Sequence, residues 1–202
     1  MTVYKTQIFE SNTKVYIDHF VGIATAKAEY RQSFAPDTTV TSIKLYYLTT
    51  KIEIWDIFGR YDYYTEGAVP DLGIQIKVNG KEVLNLGAWH WSAGEPIEIS
   101  LTKDGVHLDG SLNTIEVTYY KTAYGNSNSY QIWFESWIEV AADQSPTKTI
   151  VNVIPTTTRE DVEPTTTSYE MAGQLIQFMM MFMIMTMMLS LISGIMEGSM
   201  LG

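Results

Sequence analysis

Between Val3 and Val140 the apolar residues fall mainly on alternate positions, and Tyr, Thr, Ile and Val dominate the runs. That period of two belongs to chains whose side chains point by turns to opposite faces of a sheet. Residues 3–9 and 15–23 read as strands on either side of a polar turn at 10–14. Residues 24–30 lack the strong apolar positions of an amphipathic helix and read as continued extended chain. A turn at Pro36-Asp37 precedes two further alternating runs, 40–48 and 51–58, and an aromatic loop bounded by glycines covers 59–67. The sharpest local signal is 72–78, Asn79-Gly80, 81–86. Asn-Gly accepts the positive φ angles of a type I′ turn, whose twist matches paired strands, so this stretch predicts a hairpin.

Farther on, Ile97, Ile99 and Leu101 share one face, as do Ile115, Val117 and Tyr119. In the last strong run Ile132, Phe134, Ile138 and Val140 point inward, while Trp133, Glu135, Trp137 and Glu139 point the other way. About eight to ten short strands joined by turns predict a mainly β fold, an antiparallel β-sandwich of the jelly-roll kind, over residues 1–142.

The pattern changes after Ala141. Asp143-Gln-Ser-Pro146 breaks the strand, 149–154 can form one more, and Pro155-Thr-Thr-Thr158 is echoed by Pro164-Thr-Thr-Thr167. Stiff proline and β-branched threonine favour an extended stalk over 143–170. No charged residue lies from Met171 to Met196, and ten of the eleven methionines lie from Met171 onward. About twenty apolar residues rising ~1.5 Å each suffice to cross a bilayer core of ~30 Å, so 171–198 is expected to be one C-terminal transmembrane α-helix. Thr186, Ser190, Gly194 and Gly198 recur at every fourth position and would line one narrow helix face. Small residues in such a stripe let helix backbones approach closely in lipid, so this helix is expected to self-associate as well as anchor. No Lys or Arg follows Arg159, and the positive-inside rule gives no orientation. The first ten residues lack a basic n-region followed by an apolar h-region, so insertion is expected after synthesis or by packaging into a membrane-containing particle.

Composition narrows the chemistry. The chain has 202 residues, a net charge of -10 and 13 Lys and Arg, a balance that argues against binding a phosphate backbone, so nucleic acid is not an expected partner. It contains no cysteine, which removes disulfides and thiolate chemistry. His19, His90 and His107 stand in separate segments without metal-ligand spacing, and no nucleophile motif or phosphate-cradling loop is present in the sequence. Asp104-Gly105 and Asp109-Gly110 read as turns, because they lack the dense alternating acids of a calcium loop. Glu135 and Glu139 alternate along an outward strand face and read as solvent-facing rather than as a glycosidase pair. No catalytic residue, metal or cofactor is expected, and the protein is expected not to be an enzyme.

Binding is the more promising chemistry. Trp133, Glu135 and Trp137 share one strand face, Tyr120 is expected on the same face of a neighbouring strand, and Trp89 and Trp91 flank His90 in a loop. Flat rings beside carboxylates suit stacking on a sugar, and they also suit burial under another strand or a neighbouring subunit. Tyr61, Tyr63 and Tyr64 make a second loop cluster open to the same two readings.

Ile97-Glu-Ile-Ser-Leu101, Leu112-Asn-Thr-Ile-Glu-Val117 and Trp133-Phe-Glu-Ser-Trp-Ile-Glu-Val140 resemble segments of galactose-binding-like β-sandwich modules, a likeness that implies the fold and admits glycan binding. The layout of sandwich, Thr-Pro stalk and Met-rich terminal segment resembles a virion structural protein, a tail or vertex component, of a membrane-containing archaeal virus. That resemblance implies a location in the virion membrane, with the lipid bilayer, copies of the chain and other virion proteins as partners. The alternative is a carbohydrate-binding attachment protein in a cell-surface membrane.

Overall fold

The computed structural model describes residues 1–19, 22–56, 58–122 and 127–154. These residues carry strands β1 (Thr2–Ile17), β2 (Ile23–Ser33), β3 (Val40–Trp55), β4 (Tyr61–Tyr64), β5 (Gly67–Ala68), β6 (Leu72–Val78), β7 (Lys81–Leu86), β8 (Ser92–Ala93), β9 (Ile97–Leu101), β10 (Asp109–Lys121), β11 (Ser129–Ala142) and β12 (Lys148–Ile154). One sheet runs β1-β11-β3, with β9 along the first half of β3 and β4 along its end. The other runs β12-β2-β10-β6-β7, and β5 pairs with β8 in a small ladder. Every pairing is antiparallel. The chain is thus mainly β, as the alternation predicts. Its pairs are nested: β6 with β7, β3 with β9, β2 with β10 and β1 with β11, each pair enclosing the one before.

The two sheets face each other across one core. Phe134 on β11 meets Phe9 edge-on at 5.2 Å, Tyr47 at 5.4 Å and, from the opposite sheet, Tyr119 at 6.0 Å. Trp91 tilts against Tyr119 at 5.9 Å and donates its indole N–H to the carbonyl of Leu72. Polar links also cross the core. The Tyr119 hydroxyl bonds the hydroxyls of Tyr47 and Thr49 on β3, and Gln32 on β2 donates to Thr6 on β1. Burial pushes the Tyr47 and Tyr119 hydroxyls well up, so both stay protonated.

Several segments differ from the sequence expectation. The polar stretch 10–14 is not a turn: it lies inside β1, where Phe9 is opposite Ser136 and Thr13 opposite Phe134, so four steps along β1 match two along β11. The surplus is a β-bulge, and a further shift between Gln7 and Phe9, two steps on β1 against one on β11, leaves both Ile8 and Phe9 buried. Runs 40–48 and 51–58 are likewise one strand, β3, with a register shift between Thr49 and Lys51. The expected loop at 59–67 contains β4. The hairpin forms as expected, with Asn79 at φ 52 and Gly80 at φ 77. Asn79 also ties that turn to β10, donating to Asn113 Oδ1 and accepting from Thr114 N.

The strand that the sequence allows at 149–154 forms as β12. β12 lies within the segment read as stalk and pairs with β2 from Lys148↔Ser33 to Ile154↔Lys27. Asp143 Oδ1 accepts from Thr39 N and Thr147 N donates to Ser33 O, fixing the connection. Among the described residues no helix is long and apolar enough to cross a membrane. The rest of the expected stalk and the expected helix 171–198, with Thr186, Ser190, Gly194 and Gly198, lie outside the described residues.

Tyr119→Phe removes the hydroxyl that two buried hydroxyls share, so it is expected to destabilise the fold by about 1–3 kcal/mol. Tyr47→Phe leaves the Tyr119–Thr49 bond in place and should do less. Urea melts of both variants check the order; equal losses would mean that the shared hydroxyl is not the hub.

Candidate functional site

The outer face of the β1-β11-β3 sheet is built by registered pairs around β11. Trp137 lies between Gln7 on β1 and Tyr46 on β3, Glu139 between Lys5 and Lys44, and Trp133 between Lys14 and Lys51. Glu135, between the two tryptophans, is opposite Leu48. Trp133, Glu135 and Trp137 share this face and are each half-buried, as the alternation predicts.

Trp137 has a partner from each neighbouring strand. Tyr46 stacks on it with centroids 5.2 Å apart and planes 10° from parallel, while Lys5 sets its ammonium 4.0 Å from the ring centroid. The two partners come from the strands on either side of β11. The indole N–H donates to Glu139 Oε1 at 3.1 Å. Tyr46 donates to Glu98 on β9 at 2.8 Å, and Lys44 pairs with the same carboxylate at 2.6 Å. The Lys44 ammonium, followed by the Tyr46 hydroxyl, holds the Glu98 carboxyl below the usual carboxylate range, and Glu98 in turn raises Lys44 and Tyr46.

A second cluster surrounds Trp133. Lys51 lies 5.0 Å from its ring centroid and pairs with Glu53, which also accepts from the Tyr61 hydroxyl at 3.0 Å. Tyr61 tilts against Trp55 and stacks near Tyr63, so two of the loop tyrosines join this face through β4. Lys5, Tyr46, Lys51, Glu53 and Glu98 were not among the sequence candidates. Their signal was present as outward residues two apart, Lys44 with Tyr46 and Lys51 with Glu53 and Trp55, but the pairing of β3 with β11 was needed to read it.

Three expected site residues lie elsewhere. Tyr120 is on β10, in the other sheet, with its ring over Gly73 and its hydroxyl donating to Asn85. Any Cβ at position 73 would collide with that ring, so glycine there makes room for Tyr120. Trp91 is 5% exposed and belongs to the core, whereas Trp89, 66% exposed, stands out from the loop. That loop is held by Trp89 N to Val69 O and Val69 N to Trp91 O, and Trp89 takes φ 67. Among the described residues no group of three or more His, Cys, Asp or Glu is placed to hold a metal ion.

The outer face is therefore a strip of rings and ions, many of them paired with one another. Ring-rich, pre-ordered surfaces with few free charges suit burial against protein, whereas small-ligand sites are concave with convergent polar groups.

No protein-family model matches the chain, and comparison with curated proteins finds no match. Among solved structures, the chain is similar to the infectious bursal disease virus VP2 subviral particle, with TM-score 0.36 and 11% identity over 77% of this chain and 37% of that one. It is similar to infectious bursal disease virus of the Gx strain, with TM-score 0.32 and 13% identity over 78% and 37%. It is also similar to the EclA C-terminal domain, a sugar-binding protein, with TM-score 0.28 and 12% identity over 72% and 81%. The chain spans little more than a third of the length of the bursal disease virus chains it matches.

The Glu98 cluster should respond to acid. Its depressed carboxyl contributes stability above the ordinary value of 4.5, and that contribution is lost as pH falls through the lower folded value. Carboxyl NMR should place the Glu98 midpoint below 4.5, and Lys44→Ala should move it back up. A midpoint at or above 4.5 in the unaltered chain would show that Lys44 and Tyr46 do not hold the carboxylate.

Proposed function

We propose that the chain is a non-enzymatic structural component of a virion, a jelly-roll sandwich that packs against its own copies and other virion proteins. The nested pairing of eight strands supports the jelly-roll reading, an architecture used by capsid and lectin domains. The uncharged run from Met171 supports anchoring of the chain in a viral membrane through 171–198. The observation that carries the packing role is Trp137, which is half-buried, stacked on Tyr46 and in contact with the Lys5 ammonium. A ring so engaged has less surface left for stacking on a sugar, while it and the surrounding strip offer an ordered surface to another protein.

One observation favours a second reading, a membrane-anchored carbohydrate-binding protein. Trp89 is large, exposed and held at positive φ, a backbone state that bulky residues rarely occupy and that is found preferentially at functional positions. In that reading the attachment site is the loop carrying Trp89 rather than the face of β11.

The two readings separate on two variants of the full chain in detergent. Trp133→Ala with Trp137→Ala should raise the concentration needed for assembly at least about tenfold, since buried tryptophans at interfaces often contribute 2 kcal/mol or more. Light scattering reads the assembly, circular dichroism confirms the fold, and a glycan array is run on the same samples. Unchanged assembly in the double variant, with array binding that Trp89→Ala abolishes, would replace the first reading by the second.

A further inference from the structure

Strand edges are where one sheet can join another, and folded proteins blunt them with charge, bulges or proline. β1 carries Lys5, Glu10 and Lys14 and is bulged, β4 carries Asp62, β7 carries Lys81 and Glu82, and β9 carries Glu98 after Pro96. β12 is built differently. Its one charge is at its first residue, Lys148; from Thr149 to Ile154 it bears none, and among the described residues it pairs with β2 along one edge only. Ile150 and Val153 are exposed, and they lie on opposite faces of the strand.

The sequence of that edge is a palindrome: Ile150-Val151-Asn152-Val153-Ile154 reads the same in both directions. We propose that β12 pairs antiparallel with β12 of a second copy about a two-fold axis through Asn152, joining the two five-stranded sheets into one continuous sheet. An antiparallel two-fold pair sets residue i of one copy against residue j of the other with a constant sum of the two numbers, and directly opposed residues lie on the same face. Centred on Asn152, that rule sets Ile150 against Ile154, Val151 against Val153, and Asn152 against itself. All the apolar pairs are β-branched, which suits cross-strand packing.

Asn152 fixes the register. Its primary amide is both donor and acceptor, so two copies facing each other across the axis can bond. A two-fold centred on Val151 or Val153 would instead set the amide against Ile150 or Ile154 and leave it unpartnered. A single polar residue in an apolar seam is a known way of selecting one register over its neighbours. β12 belongs to the sheet opposite the tryptophan face, so this contact does not depend on whether that face packs against copies.

The natural lack of cysteine allows a direct test on the full chain in detergent. In the proposed register the two Asn152 Cα atoms lie about 4.5–5.5 Å apart, within disulfide reach, while the two Val151 Cα atoms stand on a diagonal of about 7–8 Å, beyond it. Asn152→Cys is therefore expected to give a disulfide-linked dimer on mild oxidation, and Val151→Cys at most about a tenth as much. Asn152→Lys places two ammonium groups on the axis while remaining exposed in each copy, so it should at least halve the assembly mass by light scattering with an unchanged circular dichroism spectrum. Equal crosslinking of the two cysteine variants, or an Asn152→Lys mass distribution identical to that of the unaltered chain, would overturn the proposal. Either result would leave the edge unpaired, occupied by a different protein, or paired in another register.

Discussion

The packing of Phe134 between the sheets governs both surfaces of the molecule. β11 lies between β1 and β3, so every one of its residues has a registered partner on β3 and all but Ser129 and Glu135 have one on β1 as well. Once Phe134 is set against Phe9, Tyr47 and Tyr119, the pleat leaves no choice for its neighbours: Trp133 and Trp137 must face outward, separated by Glu135. A one-residue slip of β11 would bury two tryptophans and two glutamates and expose Phe134, so hydrophobic burial fixes the register of the outer strip as firmly as that of the core. The outer contacts of Trp137 with Lys5 and Tyr46 then follow from which strands flank β11.

This coupling explains what was legible in the sequence and what was not. Alternation reveals faces, and it gave the inward set of β11 and of β10 correctly. It does not reveal which sheet a strand joins, and for that reason Tyr120 was assigned beside the tryptophans although β10 lies in the other sheet. Bulges hid continuity in the same way. In β3 the buried positions run Ile43, Leu45, Tyr47 and Thr49, then change phase to Ile52, so one long strand reads as two short ones. In β1 the buried Ile8 and Phe9 are adjacent and the buried pattern resumes at Val15, with a polar stretch between that mimics a turn. Trp89 and Trp91, two apart in a loop, share no strand periodicity; only the hydrogen bonds to Val69 and Leu72 sort one outward and the other into the core.

The two surfaces open to assembly are chemically unlike. The tryptophan strip has many of its ions and rings matched within the chain, so a partner covering it would gain chiefly from removing apolar area and meet little directional demand. The β12 edge has the opposite character. Its backbone groups require partners in line and in register, while its small apolar side chains supply modest area. A contact of the second kind sets orientation and a two-fold relation; a contact of the first kind adds adhesion without dictating angle. In the proposed virion component, a tether in the membrane would hold copies at raised effective concentration, so that a single strand pair, weak between free molecules, becomes sufficient to order them. In that proposal geometry would come from the palindromic edge and cohesion from the aromatic face, on opposite sheets of one sandwich.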